Sequence, residues 1–313
     1  MGPENFTTVK TFILLGLTTN HNTELALFVF FTAIYTLILV GNTLIIIAIF
    51  YDQRLHTPMY FFLSNLSFID VCHSSVIIPK MLAGFLEETK TISYGECMAQ
   101  MFFLHLFACT EIFLLTIMAY DRYAAICHPL HYTTIMNRRV CILLGVGMWM
   151  GGFLHSIAFV ALPLNAPLCG PNRIDHFFCD VPVVVQLACT NTFMFEVLIV
   201  SNSGLISVVC FIILVISYIV ILISLRNRFT EGRRKALSTC AAHLTVVTFL
   251  LGHCIFIYLR PARTLPADKV FSIFFSAVTP LLNPIIYTLR NEDMLNALNK
   301  LRGRQTNVGG KGH

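Results

Sequence analysis

The sequence predicts an all-α membrane protein, folded as a bundle of seven transmembrane helices. Of its 313 residues, 56% are hydrophobic and only 12% are charged, whereas about one-quarter of the residues of a soluble globular protein are charged. Seven mainly apolar runs also have about the length of roughly 20 residues that a helix needs to cross a bilayer. These runs, called spans one to seven, are residues 25–50, 58–79, 97–120, 140–164, 197–225, 236–259 and 270–289.

The positions of lysine and arginine predict the orientation of the bundle. The connections after spans one, three and five, together with the C-terminal tail, carry twice as many of these residues as the opposite connections. Cytoplasmic loops are the ones enriched in positive charge. Residues 1–24 are therefore predicted to be extracellular, residues 25–289 to form the bundle, and residues 290–313 to be a cytoplasmic tail. The net charge of +5 follows from this bias, so it does not indicate nucleic-acid binding.

Four cysteines are predicted at the extracellular face, where disulfides form. Cys97 begins span three, and Cys169, Cys179 and Cys189 lie in the outer loop of residues 165–195. Their even number predicts two disulfides, although four cysteines allow three pairings and the spacing does not choose between them. Asn5 begins the tripeptide Asn-Phe-Thr, a glycosylation acceptor in a segment predicted to be extracellular.

Two acidic residues lie deep in the apolar runs, Asp70 in span two and Glu111 in span three. An acid at mid-bilayer costs about 2.5–3.5 kcal/mol on insertion scales, and such residues usually face the interior of a bundle. With Asn42 and Asn283 they could form one polar cluster that holds water or a cation such as sodium. The alternative is a hydrogen-bonded packing cluster without an ion.

The cytoplasmic end of span three reads Asp121-Arg122-Tyr123. An arginine beside an aspartate at the membrane edge can be held by that carboxylate or released to other partners, which would make a switch. The simpler interpretation is an interfacial anchor pair. After span seven, Met294, Leu295, Leu298 and Leu301 recur at helical spacing, which predicts a short amphipathic helix lying along the membrane.

Five blocks of the sequence carry a family resemblance. They are LHTPMYFFLSNLSFIDVC at residues 55–72, MAYDRYAAICHPLHY at 118–132, SY at 217–218, KALSTCAAHLTVV at 235–247 and PLLNPIIYTLRN at 280–291. Over nearly its whole length the chain resembles the vertebrate odorant receptors, a subgroup of the rhodopsin-like G-protein-coupled receptors. The resemblance implies a receptor in the plasma membrane of olfactory sensory cilia, which binds volatile ligands and activates a stimulatory olfactory-type G protein to raise cAMP.

The resemblance also implies roles for particular residues. It pairs Cys97 with Cys179 and Cys169 with Cys189, and it makes Arg122 an inner switch that Asp121 restrains. The partners implied for Arg122 in one state or the other are Tyr218, His243 and Tyr287. Two departures from the family pattern are Ala124, where valine is usual, and Leu251, where an aromatic residue is frequent. Span six also lacks the tryptophan and proline of the broader receptor class, so a tryptophan toggle is not carried over.

The family places the ligand between spans three, five, six and seven. Helical spacing then selects residues that share the faces predicted to line this pocket. They are Leu104, His105, Ala108 and Cys109 in span three, Asn202 and Ile206 in span five, Leu251, Cys254, Ile255 and Tyr258 in span six, and Ile273 and Ser276 in span seven. An apolar pocket with few polar groups suits a small hydrophobic volatile.

A sharper hypothesis concerns His105 and Cys109, which are four residues apart on one helical face. An imidazole and a thiolate together favour copper or zinc, with Cu(I) the softer choice. Asn202 could add an oxygen ligand, and His155 is a further candidate ligand. A volatile thiol or thioether could then complete the coordination. In the alternative, His105 hydrogen-bonds within the pocket, Cys109 only packs, and the odorant is an apolar volatile without sulfur or metal.

Two other protein classes are less consistent with the sequence. A channel or transporter built around Asp70 and Glu111 would be expected to show inverted repeats or paired broken helices, and none is visible. An enzyme would need a catalytic spacing such as HExxH or GxSxG, and neither pattern occurs. The basic inner loop of residues 226–235 could contact a G protein or anionic lipid headgroups, and its charge does not separate the two.

Overall fold

The computed structural model describes residues 9–164, 167–168, 172–189, 191–226, 231–260, 265–289 and 291–309. Four long helices form spans one to four: α1 (His21–Tyr51), α2 (Pro58–Leu86), α3 (Tyr94–Cys127) and α5 (Arg138–Leu164), with the short α4 (Tyr132–Ile135) before α5. A short helix α6 (Val181–Val184) lies in the outer loop. The remaining helices are α7 (Phe193–Ile199), α8 (Leu205–Arg226), α9 (Glu231–Tyr258), α10 (Pro266–Ile273), α11 (Thr279–Leu289) and α12 (Glu292–Gly309).

Spans five and seven are each interrupted by a wider helical turn. A π-helical turn at Val200–Gly204 joins α7 to α8, and another at Phe274–Val278 joins α10 to α11. In the described part of the chain, six helical segments are long and apolar enough to cross a membrane, and α9 adds the shorter apolar segment His243–Tyr258. The predicted seven-helix bundle is therefore confirmed.

Several spans are longer than the apolar runs predict, because polar caps extend them into the interface. Asn20 precedes α1, and its side chain accepts a hydrogen bond from the backbone N–H of Thr23. At the start of α3, Ser93 and Glu96 form a capping box. Such caps satisfy backbone N–H groups that have no partner within the helix, so α3 begins three residues before Cys97.

A small β-sheet at the outer face is absent from the sequence prediction. Strand β1 (Thr11–Leu14) pairs antiparallel with β2 (Thr91–Ser93) and parallel with β3 (Arg173–Ile174), in the order β2-β1-β3. Phe12 of β1 is fully buried. The N-terminal segment thus belongs to the folded outer surface and joins the first and second outer loops.

Two lysines fasten this outer layer to the bundle. Lys90 binds Glu24 at 2.6 Å, which ties the connection after span two to the start of α1. Lys269 of α10 donates to the carbonyl of Gly16 at 2.9 Å and to Asp175 at 2.7 Å. Gly16 has a φ of +71°, a conformation that glycine adopts without the steric cost other residues incur.

Helix α3 lies at the centre of the bundle and packs against α2, α5, α8 and α9. Its closest approach to α5 depends on Gly152, where an added Cβ would lie 2.1 Å from Thr110 Oγ1 and 3.0 Å from the carbonyl oxygen of Leu106. Ser156, one turn further, donates to the carbonyl of Phe102 at 2.5 Å. Because these contacts involve backbone, α5 cannot retain this spacing with a larger residue at position 152.

Helix α12 confirms the predicted amphipathic helix and extends beyond residue 301. Met294 and Ala297 are buried, and Leu298 and Leu301 pack against the same core. The helix lies beside α1 and α11. The apolar face that the sequence predicts is therefore covered by the bundle.

Replacing Gly152 with alanine is expected to destabilise the protein by about 1–3 kcal/mol, the usual cost of overpacking. The matched control is Gly147→Ala, because no atom lies within 4 Å of a Cβ at that position on the same helix. Thermal unfolding of the detergent-solubilised proteins measures the stability of both variants. Equal melting temperatures for the two variants would show that the α3–α5 distance does not depend on Gly152.

Candidate ligand-binding site

The centre of the candidate site is a buried carboxylate supplied by the outer loop. Asp180 Oδ1 accepts a hydrogen bond from His105 Nε2 of α3 at 3.1 Å, and Asp180 Oδ2 accepts one from the hydroxyl of Tyr258 of α9 at 3.1 Å. The backbone N–H of Val181 also donates to Oδ1 at 2.7 Å. The side chains of Asp180, His105 and Tyr258 are here called the Asp180 triad, and each is at most 6% exposed. The triad joins the outer loop to spans three and six.

Local structure fixes the position of Asp180. It follows Cys179 directly, and Cys179 forms the predicted disulfide with Cys97 at the top of α3. The backbone N–H of Cys179 also donates to Gln100 Oε1 at 2.8 Å. Burial by itself raises the pKa of a carboxyl group, but the hydrogen bond from His105 and the electrostatic attraction between the two side chains hold the pKa of Asp180 below its ordinary value.

Aromatic rings surround His105. Its ring lies 4.2 Å from that of Phe159, 5.8 Å from that of Tyr258 and 6.1 Å from that of His155, measured between centroids. Phe159 is fully buried, and the sequence analysis missed it because the ligand was placed between spans three, five, six and seven. The structure therefore adds span four to the wall of the candidate site.

Span five contributes a polar contact to the same wall. Ser203, within the π-helical turn, has its hydroxyl 3.3 Å from His155 Nε2. Asn202 Nδ2 lies 3.5 Å from the carbonyl oxygen of His155. Among the described residues, the Asn202 amide therefore contacts the backbone of span four, whereas the sequence predicted that it would face His105 and Cys109.

The other predicted ligand-binding residues lie on the spans expected for them, and their role in binding stays a prediction. Leu104, Ala108, Cys109, Leu251, Cys254 and Ser276 are buried, and Ile206, Ile255 and Ile273 are half-buried. The hydroxyl of Ser276 donates to the carbonyl of Ser272 in its own helix at 2.7 Å. Ser276 is thus less available as a polar anchor than the sequence suggests.

The copper prediction also stays a prediction. Within the described ranges, no group of three or more His, Cys, Asp or Glu side chains is placed to share a metal ion. His105 uses Nε2 for Asp180, which leaves Nδ1 as its remaining nitrogen. His155 Nδ1 is buried and has no hydrogen-bond partner among the described residues.

Asp180 is the residue that the sequence analysis missed most clearly. An acid in a loop carries no periodicity signal, so hydropathy and helical spacing do not select it. The signal that could have found it is its position directly after Cys179, since a disulfide to the top of span three would bring the next residue over the bundle. His73 was missed as well, because a single histidine in span two has no partner in the sequence.

The interior polar cluster divides into separate contacts. Asp70 accepts from Asn283 Nδ2 at 2.8 and 3.1 Å, whereas Asn42 Nδ2 donates to the carbonyls of Ile38 and Pro280. Glu111 was predicted to face Asp70, and the two carboxyl groups are close enough to interact electrostatically. Glu111 also lies beside His73, whose Nδ1 is 3.8 Å from Glu111 Oε2. Oxygens of Asn42, Glu111 and Asn283 are buried without partners among the described residues. A sodium ion among these oxygens stays a prediction.

The cytoplasmic contacts of α3 differ from the predicted restraint of Arg122. Asp121 accepts a hydrogen bond from the hydroxyl of Tyr132 at 2.7 Å, and no ion pair joins Asp121 to Arg122 among the described residues. The loop after α3 folds back, so the Tyr132 hydroxyl reaches the carboxylate. The hydroxyl of Tyr123 lies 3.1 Å from His128 Nε2.

Helices α8 and α9 are joined on this side by the hydroxyl of Tyr218 and His243 Nδ1, at 2.5 Å. This contact places two of the residues implied as partners of Arg122 against each other. The side chain of Tyr287, the third implied partner, lies outside the described residues. Cys169 and Asn5 also lie outside them, although Cys189 is disulfide-bonded.

Comparison with known proteins gives one consistent result. A family profile described as olfactory receptor matches residues 31–303. The chain is 66% identical to olfactory receptor 4E1 of Homo sapiens over 297 residues, which cover 95% of this chain and 94% of that relative. It is 60% identical to olfactory receptor 4E2 of Mus musculus, with 97% and 99% covered. It is 52% identical to olfactory receptor 4S2 of Homo sapiens, with 99% of each covered.

The outer loop above the site contains a buried histidine that predicts a pH effect. His176 Nε2 lies 3.4 Å from the hydroxyl of Ser272, and burial lowers the pKa of His176 to about 4. The unfolded chain binds a proton at His176 below pH of about 6.5, whereas the folded protein binds it only near pH 4. Stability is therefore unaffected above the higher value and falls as the pH drops between the two.

At pH 5 the loss attributable to His176 is expected to be on the order of 2 kcal/mol. His176→Gln should show a smaller decrease in melting temperature between pH 7.5 and pH 5 than the unchanged protein, because glutamine does not titrate. His21→Gln, at the exposed start of α1, is the control. An equal decrease in all three proteins would contradict the assignment to His176.

Proposed function

The chain belongs to the olfactory receptor family, and from this premise we propose that it binds a small volatile between spans three to six, beneath the Asp180 triad. It is a multi-pass plasma-membrane receptor and not an enzyme. The proposal also includes signalling through a stimulatory olfactory-type G protein, with cAMP as the product, from the cilia of olfactory sensory neurons. The single observation that carries the binding site is the burial of Asp180 between His105 and Tyr258.

The chemistry of the wall favours a mainly apolar ligand with one hydrogen-bonding group. Leu104, Ala108 and Leu251 supply aliphatic surface, and all three are buried. The triad supplies the polar atoms, because Asp180 accepts hydrogen bonds and Tyr258 can donate or accept one. A volatile alcohol, thiol or similar small molecule matches this pattern better than a pure hydrocarbon.

Helix α9 provides a physical connection from the ligand to the cytoplasmic face. Tyr258 lies at its outer end and His243 lies 15 residues earlier, about 22 Å away along the axis. A ligand that changes the hydrogen bonds of Tyr258 acts on the helix that also carries the His243–Tyr218 contact. Signalling requires that the ligand bind the active arrangement more tightly than the resting one, since equal affinities shift no population.

The proposed site is tested by comparing two tyrosines in cells that report cAMP. Tyr258→Phe removes the hydroxyl that donates to Asp180, and the concentration for half-maximal response to a volatile alcohol is expected to rise about tenfold or more, because hydrogen bonds to charged groups contribute about 1.5–3 kcal/mol. Tyr35→Phe is the matched control, since its hydroxyl contacts Ser75 at 2.9 Å between spans one and two.

The control should stay within about twofold of the unchanged receptor, with surface amounts of all proteins measured in parallel, since surface substitutions away from a site usually change energies by under about 0.5 kcal/mol. Equal potency of Tyr258→Phe and the unchanged receptor would exclude the triad as the anchor. An equal loss in both variants would indicate a general effect on folding. Ligand-dependent ion flux without a G protein would favour the channel interpretation based on Asp70 and Glu111.

Copper-assisted detection of a thiol or thioether is a second proposal for the same pocket. Its support is the helical spacing of His105 and Cys109, together with the ring of His155 6.1 Å from that of His105 and the Nδ1 of His155, which has no hydrogen-bond partner among the described residues. Soft thiol and imidazole ligands suit Cu(I), and a thiol odorant would supply a further soft ligand.

A copper chelator separates this proposal from the metal-free one. Under the copper proposal, chelation should weaken the response to a thiol but not to the alcohol of the same carbon skeleton, and Cys109→Ala should weaken it more than Cys141→Ala. Cys141 is also a buried free cysteine, but it lies near the cytoplasmic end of α5. If neither the chelator nor Cys109→Ala changes the response to the thiol, the copper proposal is excluded and the metal-free receptor is supported.

A further inference from the structure

A groove of about 640 Å³ opens at the cytoplasmic side of the bundle, at the opposite end from the candidate ligand site. It lies between the end of α1, the start of α2 and the start of α5. Its inner wall is apolar and includes Leu55, Phe61 and Ile142, whereas His56, Thr57 and Arg138 lie along it as polar residues. Phe61 is 37% exposed and Ile142 is 49% exposed, so the groove faces the lipid.

The positive charge of Arg138 at this groove is not neutralised by any described residue. Arg138 is the first residue of α5 and forms no hydrogen bond or ion pair with any residue that the structure describes. Arg54, in the nearby inner loop, is by contrast paired with Asp52 at 2.7 Å. His56 Nε2 is also engaged, at 3.1 Å from the carbonyl oxygen of Ile49. Among the residues that the structure describes, Arg138 is therefore the cation of the groove that has no partner and can bind an anion.

We propose that this groove binds an anionic phospholipid of the cytoplasmic leaflet. The phosphate binds Arg138, whose guanidinium matches phosphate oxygens in geometry and charge. An acyl chain lies along Phe61 and Ile142, because an apolar groove at this depth is filled by hydrocarbon. Basic residues next to the cytoplasmic leaflet are attracted to its anionic lipids, and the absence of an acidic side chain from the groove disfavours a zwitterionic headgroup.

The groove is connected to the inner end of span three. Met136 lines it, and the backbone N–H of Met136 donates to the carbonyl of Tyr132 at 2.8 Å. The hydroxyl of Tyr132 in turn holds Asp121. A bound lipid thus packs against the loop whose conformation decides whether the Asp121 carboxylate is occupied or free to meet Arg122.

The single tryptophan of the chain gives a direct probe of lipid binding. Trp149 lies seven residues after Ile142 on α5, about 10 Å along the axis, and its Nε1 donates to Asn65 Oδ1 at 3.3 Å, next to Ser64 of the groove. The full receptor is reconstituted in phosphatidylcholine with a small fraction of brominated phosphatidylserine or brominated phosphatidylcholine. Bromine quenches tryptophan fluorescence only at short range.

Brominated phosphatidylserine is expected to quench Trp149 at a several-fold lower fraction than brominated phosphatidylcholine. Arg138→Ala should reduce this preference about fivefold, the factor that corresponds to about 1 kcal/mol for one basic residue at an anionic surface. Arg139→Ala is the matched control, because Arg139 is adjacent and exposed but does not line the groove. It should leave the preference almost unchanged.

Filling the groove with a larger side chain distinguishes lipid binding inside the groove from diffuse electrostatic attraction of lipids to Arg138. Ser64→Phe keeps every charge but fills the groove, so it should abolish the preference for phosphatidylserine. Ile142→Phe, at a lipid-exposed position, fills the same space if the first variant does not fold. Equal quenching by the two lipids, equal effects of the two arginine variants, or a full preference in a filled groove would each overturn the proposal.

Discussion

The outer half of the receptor depends on one carboxylate that the outer loop buries inside the bundle. A buried charge is costly unless it is paired and hydrogen-bonded, and Asp180 meets this condition only when His105 and Tyr258 are both beside it. The disulfide between Cys97 and Cys179 keeps the loop within reach of α3. The outer loop, span three and span six are therefore joined at one buried charge.

The rest of the architecture follows from the bilayer, in which backbone polar groups must be satisfied within each helix. Polar side chains inside the spans then serve as points of attachment between helices. Asp70 joins α2 to α11 through Asn283, and Asn42 joins α1 to the carbonyl of Pro280. Close packing of α3 against α5 instead uses a small residue, Gly152, as is common where helices approach closely in membranes. The bundle is thus specific at a few positions and apolar elsewhere.

Much of the fold and part of the site could be predicted from the residues. Span positions, orientation and the amphipathic helix follow from hydropathy, charge and helical spacing, and helical spacing also selects His105 as a candidate site residue. Asp180, Phe159 and His73 could not be predicted in this way, because their partners are far away in the sequence and their own segments carry no periodic signal. Strand β1 was missed for the same reason, since four residues pair with segments about 80 and 160 positions further along the chain.

By itself, the sequence determined the class, the orientation and the family, because these depend on composition, charge bias and motifs that are local along the chain. Only the tertiary structure decided which polar groups meet. In the folded protein, Glu111 lies beside His73, and Asp121 accepts a hydrogen bond from Tyr132. Asp180 of the outer loop contacts His105, and Arg138 has no acidic partner among the described residues. Helical spacing defines the faces of one helix, but the rotation, depth and separation of neighbouring helices are set by packing across the whole bundle.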